Sequence, residues 1–357
     1  MQIDGHHTLT YVAARFAQFD HRQAATIAYA SQYVCDATNS GLIRFDNGAS
    51  YSRLASANKM LDRRSLSAMA ENLTWLPLYY LPGNGGQPAG VDPDGGFVQK
   101  LICQPDSPVA RAMLADCIAN QDTPSGLHRL GISMHALADS FSHQGFAGVS
   151  HEVNVVEEVE AEDQNWVESF TDRLSSFFLA EGFPLGHAAA LNNPDKPYLT
   201  WRYQNGFGEL IERDNVQIFT EAANVMCKAM QAYRQGDVSV NLDAQPGIPS
   251  KDLHTIKLML AQYQFDNEQL RHQHWLGDIG QGRFSFGAAQ LNYIGKGIGS
   301  WKHQALGQEA HCDSGDERFH YQPAFLSSDW KQFHDALRLH LLVMQQRIFP
   351  SFGICSG

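Results

Sequence analysis

The sequence predicts an all-α fold: a single compact multi-helix domain over residues 1–357, with long loops. Three observations lead there. Apolar residues recur at helical spacing along much of the chain, residues that favour helix N-caps precede several of those runs, and convincing period-2 alternation is scarce. From Thr8 to Phe19, Leu9, Val12, Ala13 and Phe16 fall on one face, and a second run extends from His21 to Val34. The stretches Ser52 to Leu61, Val109 to Ala119, Ser125 to Ser142, Glu152 to Leu179, Leu210 to Tyr233, Asp252 to Leu270 and Asp329 to Ile348 read the same way. Asp20, Ser107 and Ser328-Asp329 stand where caps are expected. Between helices, residues 82–96 are too rich in Gly and Pro for regular structure, and Gly277 to Gly315 is rich in Gly and aromatics. Neither has the character of an interdomain linker, and no internal repeat is present.

Composition narrows the function. With 43% hydrophobic residues, the 357-residue chain can bury a sizeable core. The 38 acidic against 26 basic residues give a formal charge of −12, and no Lys/Arg cluster reverses the sign locally, which argues against duplex nucleic acid as a partner. A phosphoester remains compatible with an acidic chain if metal ions supply the positive charge. No apolar run reaches the ~18 residues of a transmembrane helix. The N-terminus has neither a basic nor an apolar signal region, so the expectation is a cytoplasmic protein, or one exported without a recognisable signal peptide. The six cysteines are scattered without a C-x-x-C pair, which favours reduced thiols over a disulfide framework. Sixteen histidines are the compositional signal, neutral imidazole being the commonest metal ligand.

The informative stretch runs from Gly126 to His143. At ~100° per residue, measured from His128, His135 lies at about 340°, Asp139 at about 20° and His143 at about 60°. Three imidazoles and a carboxylate on one stripe can converge on a metal. The plain alternative is a polar helix face in which Asp139 holds a histidine by a hydrogen bond.

This stretch resembles the central metal motif of the zinc-dependent phospholipase C family and the related single-strand nucleases. Leu130-Gly131-Ile-Ser-Met134-His135 with Asp139 reproduces its Leu-Gly-x-x-Met-His-x-x-x-Asp run, and Ile3-Asp4-Gly5-His6-His7 opens into a helix as the family's ligand-bearing start does. The whole chain also resembles a bacterial family of unknown function. The phospholipase resemblance implies His7 (with His6 as the near alternative), Asp36, His135, Asp139 and His143 as metal ligands, and His187 or His151 as a further one; His128 has no counterpart in that family and is an outer or additional ligand by its place on the helix stripe. Where that family has His-x-x-x-Glu or His-x-x-x-Asp, Val155 follows His151 and Leu191 follows His187. An N-terminal amine ligand, usual in the family, would come from Met1 or a trimmed start. Outside the main motif, His274 and Asp278 form a second His-x-x-x-Asp pair. His311, Cys312, Asp313 and His320 form a looser group, and Glu157 or Glu160 could add a carboxylate.

The expected cofactor is one to three divalent transition-metal ions, zinc first, with iron or manganese as alternatives. Such ions activate water and clamp phosphoryl oxygens. The expected activity is therefore a metal-dependent hydrolase of a phosphodiester, phospholipid or nucleotide-type substrate, with Asp36 or Asp139 orienting the nucleophile. The alternatives are a non-haem iron or manganese oxidase of a small metabolite, and a non-catalytic helical scaffold stapled by metal.

Overall fold

A computed structural model of the chain describes residues 1–57, 74–161, 186–307, 309 and 318–355. Its centre is helix α4. In chain order the main helices are α1 (Thr10–Phe16), α2 (His21–Asp36), α3 (Pro108–Ala119), α4 (Gly126–Ser142), α5 (Asn215–Gln235), α6 (Ser250–Gln262), α7 (Glu268–Gly280), α8 (Trp301–Leu306) and α9 (Asp329–Val343). The caps anticipated from sequence are present. Asp20 accepts from Gln23 N (2.8 Å) in a reciprocal capping box, Ser107 from Ala110 N (3.2 Å) and Ser328 from Lys331 N (3.4 Å).

α4 is buried on nearly every side, as a helix surrounded by others must be, and packs against α2, α5 and α9. Gly131 makes the α2 contact possible. A Cβ there would lie 2.4 Å from Ile27 O and 2.6 Å from Ala30 Cβ, so any larger residue would force the two helices apart.

The all-α expectation is overturned by two three-stranded sheets, which make the fold mixed α/β. In the first, β1 (Gly41–Phe45) pairs antiparallel with β2 (Ser50–Arg53), Gly41 opposite Arg53, and parallel with β6 (Arg318–Phe319), Arg44 opposite Arg318. The second is an antiparallel meander of β3 (Val156–Ala161), β4 (Thr200–Asn205) and β5 (Leu210–Asp214), with Thr200 opposite Asp214. Three helical assignments change accordingly. Ser52 and Arg53 end strand β2 rather than start a helix. Glu152–Asn154 is a short 3-10 turn leading into β3. Residues 210–214 are strand, with α5 starting only after Asp214 caps it through Gln217 N (3.1 Å). The remainders of the expected helices at 58–61 and 162–179 lie outside the described residues. The strands are short, and Val-Glu alternation mixed with helix-favouring Glu conceals a period of two.

Three apolar clusters surround the centre. One joins α1, α3, α4 and α5; one gathers Trp301, Trp330 and Phe333 under β1; one holds Tyr80, Phe146, Trp201 and Tyr203 beneath the meander. Among the described residues, no helix is long and apolar enough to cross a membrane.

Candidate metal centre

At the C-terminal end of α4, His135 and Asp139 are one turn apart, and His143, the C-cap residue, lies one turn further on. His135 Nδ1 is 2.9 Å from Ser31 O on α2, an approach that the close packing at Gly131 allows. A carbonyl oxygen only accepts, so Nδ1 carries the hydrogen and neutral His135 presents a bare Nε2. That Nε2 is buried without a hydrogen-bond partner and lies 3.4 Å from Asp139 Oδ2.

The pattern repeats twice. His143 Nδ1 donates to Tyr79 O (2.8 Å), and its Nε2 faces Asp195 Oδ1 at 3.3 Å. His187 Nδ1 donates to Leu191 O (2.7 Å), and its Nε2 faces Asp195 Oδ2 at 3.5 Å. The Tyr80 ring stacks on His143 with centroids 4.8 Å apart, and its hydroxyl accepts from His187 N (3.1 Å). Gly186 makes room for that ring. Its φ is +54°, and a Cβ would lie 2.2 Å from Tyr80 Cζ.

The start of the chain completes the cluster. Asp4–Leu9 form a π-helical turn, a geometry frequent at functional sites. Arg271 of α7 holds it by a buried ion pair with Asp4 (2.6 Å). Within it, His6 stacks on His135 with centroids 3.9 Å apart, and its Nε2 lies 3.1 Å from Asp139 Oδ1. The amino group of Met1 contacts Asp139, Asp195 Oδ1 (2.9 Å) and Ser142 Oγ (3.0 Å).

Electrostatics agree with this geometry. Burial, then the neighbouring His6, pushes His135 well below the usual histidine range, and burial pushes His187 down to about 4. Both are therefore neutral at pH 7. Burial opposes ionisation of Asp139 and Asp195, yet the Met1 ammonium and the adjacent imidazoles hold both carboxyls below the usual carboxylate range. The ammonium itself rises to about 11, burial being outweighed by the two aspartates. At His135 and His187 a bare imidazole nitrogen faces a carboxylate, which is repulsive unless a cation lies close by; the Met1 ammonium meets both carboxylates here, and a metal ion would take over that charge. The spacing suits one, since two ligand atoms ~2.1 Å from a tetrahedral zinc are roughly 3.4 Å apart. Histidines whose second nitrogen is tied to a carbonyl are also the usual outer arrangement of metal ligands. The donor set therefore fits a divalent transition metal.

Comparison with known families adds one assignment. Residues 1–348 match the model of a family of unknown function, DUF6765. The chain belongs to this family. No curated protein and no solved structure matches it.

In this DUF6765 member, His135, Asp139, His143 and His187 gather at the centre, whereas other expected residues do not. His7 is displaced by its neighbour His6. Successive residues on a helical turn point in different directions, and His7 instead meets His272 (Nδ1 to Nε2, 2.9 Å) and the Tyr293 ring. His128 shares the angular stripe of His135 but lies two turns away, ~10.5 Å along the axis. It pairs there with Asp329 (3.0 Å). Asp36 does not join the cluster; its Oδ2 accepts from Tyr293 OH (2.5 Å) and Gln32 Nε2 (3.2 Å). It lines a neighbouring cavity of about 540 Å³ with Met1, Cys35, His272, Tyr293 and Lys296.

Asp195 is the residue that sequence spacing missed. It follows His187 by two helical-turn spacings rather than one, in the turn Asn193–Asp195. The remaining candidates are accounted for elsewhere. Asp278 binds Tyr263 and Arg283, His274 stacks on Tyr263 and Phe265, His151 caps Val153 N, and His320 pairs with Asp46 on the surface. Glu160 pairs with Arg202 (3.0 Å) and Glu157 is exposed on β3, while His311, Cys312 and Asp313 lie outside the described residues.

Proposed function

We propose that the chain is a metal-dependent hydrolase acting on a phosphodiester, phospholipid or nucleotide-type substrate, with its metal centre built on Asp139 and Asp195. The observation that carries this reading is the threefold repeat at His135, His143 and His187. Each is fixed by an Nδ1–H bond to a backbone carbonyl, and each turns Nε2 toward an aspartate oxygen. Divalent ions bound there would lower the pKa of water and take up charge on phosphoryl oxygens.

The residues divide the work. Asp139 faces His6 through Oδ1 and His135 through Oδ2, while Asp195 faces His143 and His187, so two ligand sets adjoin. That duplication favours phosphoryl chemistry, in which attacking and leaving oxygens both need support. Asp36 stands in the wall of the adjacent cavity, tethered through Oδ2 to Tyr293. Of the two aspartates considered for catalysis, Asp139 would serve as a ligand, and Asp36, in the cavity wall, would orient water and accept its proton. The cavity volume lies within the range usual for small-molecule sites.

The test is a panel of a chromogenic phosphodiester, a phospholipid and single-stranded nucleic acid, assayed with zinc, manganese and iron. Metal-dependent turnover that disappears in Asp139→Asn is expected. No turnover combined with oxygen consumption by the iron form would replace the hydrolase by an oxidase. Metal uptake with neither activity would leave a structural staple.

A further inference from the structure

Four described cysteines have conventional surroundings and one does not. Cys103, Cys117 and Cys227 are buried inside the apolar clusters, and Cys355 is exposed. Cys35 belongs to no apolar cluster. It is half-buried in the wall of the cavity, and its Sγ lies with one ring nitrogen each of His6 and His135 in a group whose members are within 4.8 Å of one another.

Independent features of the two histidines point to a ligand at this place. His6 is fully buried; among the described residues its Nδ1 has no hydrogen-bond partner, and its Nε2 meets only the Asp139 carboxylate (3.1 Å), while His135 Nε2 is likewise buried and faces the same carboxylate (3.4 Å) without a hydrogen bond. Helix α2 organises the group from one face. Ser31, whose carbonyl fixes the His135 tautomer, precedes Cys35 by four residues, so both project toward α4. Asp36 lies ~100° further round the helix, which directs it to Tyr293 and leaves the inward position to the cysteine.

We propose that Cys35 is a thiolate ligand of the ion held by His6 and His135. This makes one half of the centre a sulfur-bearing site, joined through Asp139 to a harder half formed by His143, His187 and Asp195. The inference rests on the metal reading above and specifies its ligand chemistry. Coordination exchanges the S–H bond for a metal–sulfur bond, with the proton released to solvent. Zn–S near 2.3 Å and Zn–N near 2.1 Å place such ligand atoms about 3.6 Å apart, against the 4.8 Å within which the three atoms lie, so the stacked His6 and His135 rings would turn toward the ion on binding. Thiolate with imidazole selects zinc over manganese or magnesium, whereas the all-nitrogen-and-oxygen half discriminates less. The two ions therefore differ in identity or in ease of exchange.

The full-length protein is stripped with chelator, reconstituted with cobalt(II) and examined by absorption spectroscopy. A near-ultraviolet sulfur-to-cobalt charge-transfer band is expected in the wild type. It should be lost in Cys35→Ser and in Cys35→Asp, the latter still taking up cobalt. A second measurement needs no variant: zinc should protect Cys35 from iodoacetamide while Cys355 stays reactive, read by mass spectrometry of the peptides. Cobalt uptake without the band, a band that survives in Cys35→Ser, or alkylation of Cys35 unaffected by zinc would each overturn the thiolate ligand and leave the metal centre standing. Failure to take up either metal would overturn both.

Discussion

At His135, two neighbours assign two different tasks to one ring. Ser31 O takes the Nδ1 hydrogen, and Asp139 faces the bare Nε2. The same division at His143 and His187 turns three imidazole nitrogens toward three carboxylate oxygens, a donor set that fits metal ions. Removing an outer hydrogen-bond partner of a metal ligand typically costs 10–100-fold in affinity, so replacing a ligand is expected to cost at least ~100-fold. Competition with a chromogenic chelator should show this for His187→Gln and Asp195→Asn, while His7→Gln and His128→Gln bind as the wild type does. Wild-type affinity in both centre variants would exclude the His143–His187–Asp195 group. The helical stripe made His135, Asp139 and His143 legible, because i, i+4 spacing is local. His6 and His7 were legible only as a pair, since a π-helical turn changes which side chain faces inward. Asp195 was hidden because nothing local relates it to His187; a loop brings them together.

At the scale of elements, the contact of α2 with α4 sets the centre, and Gly131 is its weakest point. Adding one methyl group there pushes against Ile27 O and Ala30. Gly131→Ala is expected to destabilise the fold by about 1–3 kcal/mol, the usual cost of overpacking, and to weaken metal binding by moving His135 from Ser31. Denaturant unfolding and metal titration of this variant check both effects; unchanged stability would mean the helices separate freely. The helices with caps and long apolar stripes were readable from sequence. The sheets were not. In β4, Trp201, Tyr203 and Asn205 do alternate inward against Arg202 and Gln204, but over six residues only. β6 contributes two residues, and its partner β1 is far away in the chain, so pairing rather than propensity makes it a strand.

Across the whole molecule, buried imidazoles couple stability to pH even away from the centre. Burial lowers His340 to about 4, and burial, then Arg53 and Arg338, lowers His334 to about 3. Unfolded, both would titrate near 6.5. As pH falls below that value, the unfolded chain binds protons that the native state refuses, so unfolding becomes easier. Their contribution is intact above about pH 6.5 and is lost progressively toward about pH 3–4. Urea midpoints should fall between about pH 7.5 and about pH 4.5, and less so in His334→Gln if that variant remains folded. A flat profile would mean that these rings are hydrated. The same molecule gathers its N-terminal turn, α2, α4 and the His187–Asp195 loop around one pair of aspartates, and we propose that this pair binds metal. Elemental analysis of protein purified without chelator or added metal, repeated after reconstitution with zinc, tests it most directly. The result expected is at least one divalent transition-metal ion per chain, lost in a folded Asp139→Asn variant. A folded wild-type protein with no metal before or after reconstitution would contradict it.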